Sequence, residues 1–361
     1  MSTDLRSAFP VLERLAYLNT GSVGPVPAAA GDAAREELRA SVENGRATKA
    51  QFDRLLEMGD TLRGRVTGLL GASAGEVALT GATTDGVNAV IAGMDLRSGD
   101  EVLTSDEEHP GLLAPLAVAR ERRGVRIRVA PFAELADAVG AQTRLVACSH
   151  VSWQTGRMVD TAALSAAGAP VLLDGAQGLG AVPVDVAELG CDYYAASGQK
   201  WLCGPMGSGY LFVRSERITA LSPTAPGYQS LSDPVRALEL PLKEGAARFD
   251  GGFPPPHHLA WALASLDVLG TDGAVQELGP QLAGRLAGLL SERGLTVAPR
   301  GRSTLVSWEA ADPAAESARL LEAGYLVRHL PGTRYVRASV GAWSSEGELT
   351  GLAESAATSA S

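Results

Sequence analysis

Cysteine is scarce in this chain: among 361 residues there are three, Cys148, Cys191 and Cys203. An odd, low count without regular spacing excludes a disulfide framework and a Cys-rich zinc site, and no metal is expected. Basic residues are outnumbered, 31 Lys and Arg against 41 Asp and Glu, for a formal net charge of -10. A chain this acidic lacks the broad basic face that a polynucleotide needs, so no nucleic-acid partner is expected. Apolar runs long enough to cross a bilayer are absent. The polar start Met1-Ser-Thr-Asp-Leu-Arg-Ser leads into no apolar signal core. No membrane partner is therefore expected, and the cytoplasm is the expected compartment.

What the chain does have is the balance of a globular protein, 45% hydrophobic and 20% charged residues. Its length suits one large domain or two of ordinary size. Short apolar or β-branched runs predict strands at Glu76–Thr80, Glu101–Ser105, Val125–Ala130, Leu145–Val151, Val171–Asp174 and Tyr193–Ala196. Helical segments such as Asp85–Ala92 and Leu112–Arg122 lie between them. Alternation of this kind predicts an α/β unit with a mainly parallel sheet and helices on both faces. Ser208–Val213 is a further strand, reached by a Gly-rich turn, that pairs antiparallel either at an edge or inside the sheet. Residues Ser222–Pro256 are rich in Pro and Gly and predict a long irregular crossing. Helices at His257–Leu269 and Val275–Arg293, then strands at Ser303–Trp308 and Tyr335–Val340, predict a smaller α+β domain, ending in a fraying Ala353–Ser361. The expected division is an N-terminal arm over 1–20, a large domain over 21–255 and a small domain over 256–361.

Four short motifs carry chemistry, and each is weak alone. Val171-Leu-Leu-Asp174-Gly-Ala-Gln177 ends an apolar strand in an acid, at the edge where open α/β sheets bind ligands. An isolated strand-end Asp is more often a helix cap. Ser197-Gly-Gln199-Lys200-Trp201 follows a strand and precedes a cluster of glycines. A lysine there can be desolvated and made nucleophilic, although most lysines before flexible turns are simply exposed. Gly81-Ala-Thr83-Thr84-Asp85 reads as a turn into a helix whose free N–H groups and hydroxyls suit an anion, or as an ordinary Thr cap. Asp106-Glu-Glu108-His109-Pro110 places a histidine just after a strand, where a ring-stacking role is open to it.

In this order and spacing the motifs closely resemble the class V aminotransferase family, which includes cysteine desulfurases, isopenicillin N epimerase-like proteins and kynureninase-like enzymes. The likeness runs from about Tyr17-Leu-Asn19-Thr20-Gly21 to about Arg337-Ala-Ser-Val. It implies the PLP-dependent transferase fold (fold type I), pyridoxal 5'-phosphate (PLP) as cofactor, a small amino-acid substrate and a homodimer. It further implies that Lys200 holds PLP as a Schiff base, that Asp174 pairs with the pyridine nitrogen and that Gln177 bonds the ring hydroxyl. His109 would stack on the ring, and Thr83, Thr84, Ser197 and Gln199 would hold the phosphate. Arg337 would clamp the substrate carboxylate, a task suited to a bidentate guanidinium, with Asn19 and Trp153 nearby. Gly252 and Phe253 would approach the neighbouring subunit's phosphate site.

Three departures sharpen the expectation. Relatives that mobilise sulfur carry a cysteine shortly before the carboxylate-binding arginine, whereas Val327-Arg-His-Leu-Pro-Gly-Thr-Arg-Tyr-Val336 has none. Trp153 stands where desulfurases often have Asn, and Phe253 where Thr is common. The resulting expectation is an enzyme that deprotonates Cα of an amino acid and cleaves a Cβ–S bond without a persulfide-forming cysteine. Transamination and epimerisation are the near alternatives. A Rossmann-type oxidoreductase built on Gly175-Ala-Gln-Gly178-Leu-Gly180 is a remote one, because the G-x-G-x-x-G order is absent.

Overall fold

The computed structural model describes residues 2–270 and 273–358. Its strands, in chain order, are β1 Ala16–Tyr17, β2 Val77–Thr80, β3 Glu101–Ser105, β4 Arg126–Ala130, β5 Thr143–Ser149, β6 Val171–Asp174, β7 Tyr193–Ser197, β8 Gly209–Val213, β9 Leu305–Glu309, β10 Tyr325–Leu326, β11 Arg328–His329 and β12 Tyr335–Ser339. The large sheet has seven strands in the order β2-β8-β7-β6-β5-β3-β4. β8 lies inside it, antiparallel to both β2 and β7, while the other pairs are parallel.

The central strands are apolar along most of their length because both faces are covered. Successive residues alternate between two cores. Leu103, Val146, Leu173 and Tyr194 pack under the helices Lys49–Leu70 and Pro256–Leu269. Val102, Leu145, Leu172 and Tyr193 pack under Thr83–Gly93 and Pro110–Arg123. The helix Pro256–Leu269, grouped by sequence with the C-terminal unit, thus places Leu259, Ala262 and Leu266 in the core of the large sheet. At the edge, β4 carries Arg126 and Arg128, charges that blunt an exposed strand. The crossing over 222–256 holds only short turns, and Asp250 pins it by accepting from Arg63 Nη2 at 2.7 Å and the Leu79 amide at 2.9 Å.

A three-stranded antiparallel sheet, β11-β12-β9, forms the smaller layer. Val306, Trp308, Val336 and Ala338 pack there against Ala274–Glu292 and Glu346–Ala357. The fraying expected from Ala353 onward does not occur over that helix. Ala353 and Ala356 are buried, and burial of a helical face outweighs the small, polar composition. Residues 359–361 lie outside the described set.

The N-terminal segment is stitched to this smaller layer. β1 pairs in parallel with β10, and Ser339 N donates to Leu18 O at 2.7 Å. A few residues on, Gly24 N donates to Gln199 O at 2.8 Å, beside the lysine of the large unit. A Cβ at Gly24 would stand 2.1 Å from Lys200 O, so only glycine permits this approach. Residues 20–22 thereby lie beside the segments that follow β6 and β7, and Gly21 O accepts from Gln177 Nε2 at 2.8 Å. Leu18 is fully buried and anchors the crossing. Leu18→Ala should cost about 2–5 kcal/mol in equilibrium urea unfolding, the usual range for a buried Leu truncation. A loss below about 0.5 kcal/mol would show that the arm is not part of the cooperative core.

Candidate active site

The parallel strands end on one side, the edge at which open α/β sheets bind ligands. A cavity of about 240 Å³ opens there. Asp174 at the end of β6, Ser197 at the end of β7, and Gln199 and Lys200 just beyond all face it. Thr83 and Thr84 reach it from the first turn of Thr83–Gly93, and His109 from the cap of Pro110–Arg123. Arg337 projects from β12, and Trp153 from the turn after β5. The cavity therefore lies where the two sheets meet.

The turn at Lys200 is tightly built. Gly204 N donates to Gly198 O at 2.9 Å, and Cys203 N to Lys200 O at 3.1 Å. Cys203 adopts φ +52°, a left-handed conformation that costs a non-glycine residue about 1 kcal/mol or more. It is held there because its carbonyl accepts from Trp261 Nε1 and Ser265 Oγ, each at 2.9 Å. Burial lowers the Lys200 amine to about 8, with Asp174 opposing and Arg337 and Arg328 adding to the shift. Burial likewise raises the Asp174 carboxyl, against the charge of Lys200 and the Ala176 N–H. Gly175 and Gly178, which the oxidoreductase alternative takes as a nucleotide loop, instead lie against Tyr194. A Cβ on either would come within 2.0 or 2.2 Å of that side chain.

His109 has a fixed orientation. Its Nδ1 accepts from Gly111 N at 3.0 Å, which leaves the proton on Nε2. Burial, then Lys200, Arg328 and Arg337, lower it to about 4, so the ring is neutral near pH 7. Its edge meets Trp153 at a centroid distance of 5.2 Å and an interplanar angle of 85°. Gln177 donates from Nε2 to Gly21 O at 2.8 Å and accepts from Trp201 Nε1 at 2.9 Å, which leaves its second amide N–H for a ligand.

Not every residue singled out by sequence reaches the cavity. Asn19 is not part of the lining. Its Oδ1 accepts from Ser22 Oγ at 2.8 Å, and Ser22 in turn accepts from Arg328 Nη1 at 3.1 Å. Gly252 and Phe253 lie on another surface, where Phe253 packs against Phe52 and Tyr228 at 5.2 and 5.8 Å. Two residues without a sequence-based role stand out. Arg328 lines the cavity, and on the β11–β12 ladder it sits directly opposite Arg337. Glu108 is buried beneath the site and accepts from Ser105 Oγ, Ser149 N and Ser149 Oγ. Burial raises it to about 7.

The donor set fits PLP. Thr83 Oγ1, at a helix N-terminus that favours a phosphate, and Ser197 Oγ, at the end of β7, are buried without a partner among the described residues. Asp174 suits a protonated ring nitrogen, and Lys200 an aldehyde. Arg337 is 1% exposed, and only its Nη1 is bonded, to Trp153 O at 2.7 Å. Its Nε and Nη2 lack partners, a fork fit for a carboxylate. Among the described residues no cluster of metal-ligating side chains occurs and no helix is long and apolar enough to cross a membrane.

Known proteins agree with this geometry. The family model for class V aminotransferases matches residues 16–307. A cysteine desulfurase of Klebsiella pneumoniae strain 342 is 34% identical over 69% of this chain and 67% of its own length. A probable cysteine desulfurase of Methanothermobacter thermautotrophicus is 30% identical over 69% of this chain and 65% of its own length. Among solved structures, the cystine C–S lyase C-DES in complex with its reaction product cysteine persulfide superposes with a TM-score of 0.91 at 27% identity. That match covers 97% of this chain and 99% of the other. A C-DES variant with glycine covalently linked to its PLP cofactor gives 0.92 at 27% identity, over 98% of both chains. This chain belongs to the class V aminotransferase family, and is a PLP-dependent enzyme with that family's α/β fold.

Proposed function

We propose that the protein is a Cβ–S lyase acting on cystine or a similar disulfide-bearing amino acid, releasing the persulfide in solution. The observation that carries this reading is the pair Arg328 and Arg337. Like charges directly opposite on neighbouring strands repel, so the pair needs anionic company. A substrate with two carboxylates supplies it, and cystine has one at each end. Arg337 takes the α-carboxylate on its unpaired Nε and Nη2, and Arg328 the distal one.

PLP, when bound, supplies an electron sink for the bonds at Cα. The chain's own residues do the rest. Asp174 keeps a negative charge against the ring nitrogen. The Lys200 amine, neutral in much of its population near its lowered pKa, takes the Cα proton. His109 and Trp153 wall the face of the cavity and limit water. The Cβ–S bond then breaks, and the balance is cystine plus water to cysteine persulfide, pyruvate and ammonia.

The absence of an acceptor thiol also supports release to solution. The turn between β11 and β12 is short, closed by Leu330 N to Tyr335 O at 3.0 Å, and has no cysteine. Cys148, Cys191 and Cys203 are buried to 1% exposure or less. Burial pushes Cys191 up to about 12 and raises the other two thiols as well. The relatives named as cysteine desulfurases favour a second reading, sulfur removal from cysteine with alanine as the co-product. The same reading of the family makes the protein a homodimer, with Gly252 and Phe253 approaching the partner's phosphate end and acting there through the backbone.

Incubation of the PLP-loaded enzyme with L-cystine and no keto acid should yield pyruvate and ammonia in equal amounts. Alanine from cysteine would instead favour the desulfurase reading. Accumulated pyridoxamine phosphate without pyruvate would mean transamination, and loss of optical activity without either product epimerisation. Arg328→Ser should raise KM for cystine about tenfold or more, the scale of a lost charge-assisted contact, with little effect on amino acids bearing one carboxylate. An equal loss for both classes would remove Arg328 from the distal position. Apoenzyme mixed with PLP should gain a borohydride-reducible absorbance. Because the neutral amine is the nucleophile, the rate should rise with pH up to about 8 and level off above it. Lys200→Ala should never acquire the reducible band, and a rate flat below pH 8 would contradict the lowered lysine pKa.

A further inference from the structure

The segment Asp106-Glu107-Glu108-His109 makes three separate anchors in sequence order. Asp106 accepts from Phe132 N at 2.9 Å, Glu108 ties the ends of β3 and β5, and His109 faces the cavity. Glu107 does something different. Its Oε2 accepts from Ser152 Oγ and, at 2.6 Å, from Thr155 Oγ1. Arg157 Nη1 stands 3.9 Å from its other oxygen. One carboxylate thus gathers three side chains of the turn over residues 152–157.

That turn is where the two units meet at the substrate end of the cavity. Trp153 O receives Arg337 Nη1 at 2.7 Å, the one hydrogen bond that orients the buried guanidinium among the described residues. From the smaller sheet, Ser307 Oγ donates to Gln154 O at 2.5 Å, and Ser303 Oγ to Gly156 O at 2.7 Å. Ser307 is itself the ladder partner of Arg337 on β9 and β12. Within the turn, Ser152 Oγ also accepts from Gln154 N and Thr155 N, at 3.2 and 3.1 Å. The Trp153 carbonyl can meet Arg337 only if the turn keeps this shape, and Glu107 is the charged group of the large unit that holds it. Glu107 does not line the cavity, so it acts through the turn and not on a ligand.

We propose that Glu107 is a positioning residue for Arg337: by holding Ser152 and Thr155 it sets the Trp153 carbonyl that aims the guanidinium at the substrate carboxylate. The proposal rests on Arg337 as the carboxylate holder. It does not depend on which bond the enzyme cleaves.

Glycine is the probe that separates these ideas, since it has an α-carboxylate and no leaving group. PLP-loaded enzyme titrated with glycine, followed by cofactor absorbance, gives a dissociation constant without turnover. Glu107→Ala should raise that constant about tenfold, the coupling expected of groups sharing one network. Glu107→Gln, whose amide oxygen still accepts from both hydroxyls, should stay within about threefold of wild type. On an Arg337→Lys background, Glu107→Ala should add nothing further, because the group it positions is already gone. With cystine, KM should carry the Glu107→Ala effect while kcat stays within about threefold. If Glu107→Ala does not fold, Thr155→Val removes one donor with the carboxylate in place and should show the same pattern at smaller size. An unchanged glycine constant in Glu107→Ala, with Arg337→Lys impaired, overturns this proposal alone. The same holds for equal losses in Glu107→Gln and Glu107→Ala, or for additive losses on the Arg337→Lys background. An unimpaired Arg337→Lys overturns the carboxylate assignment together with it.

Discussion

A guanidinium buried to 1% exposure with two of its nitrogens unbonded is the constraint on which this molecule turns. Leaving charged donors unsatisfied in the interior is expensive, on the order of several kcal/mol. Arg337 comes from β12 of the smaller sheet, and its single partner, Trp153 O, comes from a turn of the large unit. The hydrogen bond therefore measures whether the two units are seated. Leu18 and the β1–β10 pair tie the N-terminal segment to the same junction, and Gly24 closes it against the lysine turn. The fold thus holds an incompletely bonded cation at the junction, which the proposed function assigns to a substrate carboxylate.

The large sheet was legible because its strands declare their ends. Glu101–Ser105 and Val171–Asp174 begin and stop as the apolar runs do, since a parallel strand buried on both faces allows polar residues only at its ends. Asp174, Lys200, Thr83, Thr84 and His109 were legible for the same reason: each follows a strand end within a few residues, and the structure brings them to one cavity. The helix Lys49–Leu70 had a signal too, with Leu62, Val66 and Leu70 spaced by four, but its many charges dilute it. Ala28–Asn44 buries only Ala30 and offers almost no periodic apolar face to read.

What escaped the sequence is what depends on distant partners. Arg328 looks like any basic residue of a short hairpin until the ladder places it against Arg337. Glu107 and Glu108 sit in a motif noted for its histidine, yet apart from Ser105 their partners lie more than forty residues on, at Ser149, Ser152 and Thr155. Asn19 is a different case. Its side chain accepts from Ser22 Oγ, and it is Ser22, bonded in turn to Arg328, that lines the cavity. A boundary between domains is equally hard to read when a helix such as Pro256–Leu269 is apolar over much of its surface and can serve either core.

The charge of the cavity argues what it must contain. Lys200, Arg328 and Arg337 face it against the single carboxylate of Asp174, inside a chain whose net charge is -10. An excess of cations in an acidic protein is not a by-product of composition. Their mutual influence is visible in His109 and Lys200, both pushed down in part by the two arginines. Thr83 and Ser197, which suit a phosphate, belong to the large unit, whereas Arg328 and Arg337 are carried by β11 and β12 of the smaller sheet. Arg337 is buried with two nitrogens unbonded, and Arg328 stands half-buried beside it, so a ligand with one carboxylate matches only one of the two cations. On the function proposed above, electrostatic balance favours a substrate that is anionic at both ends.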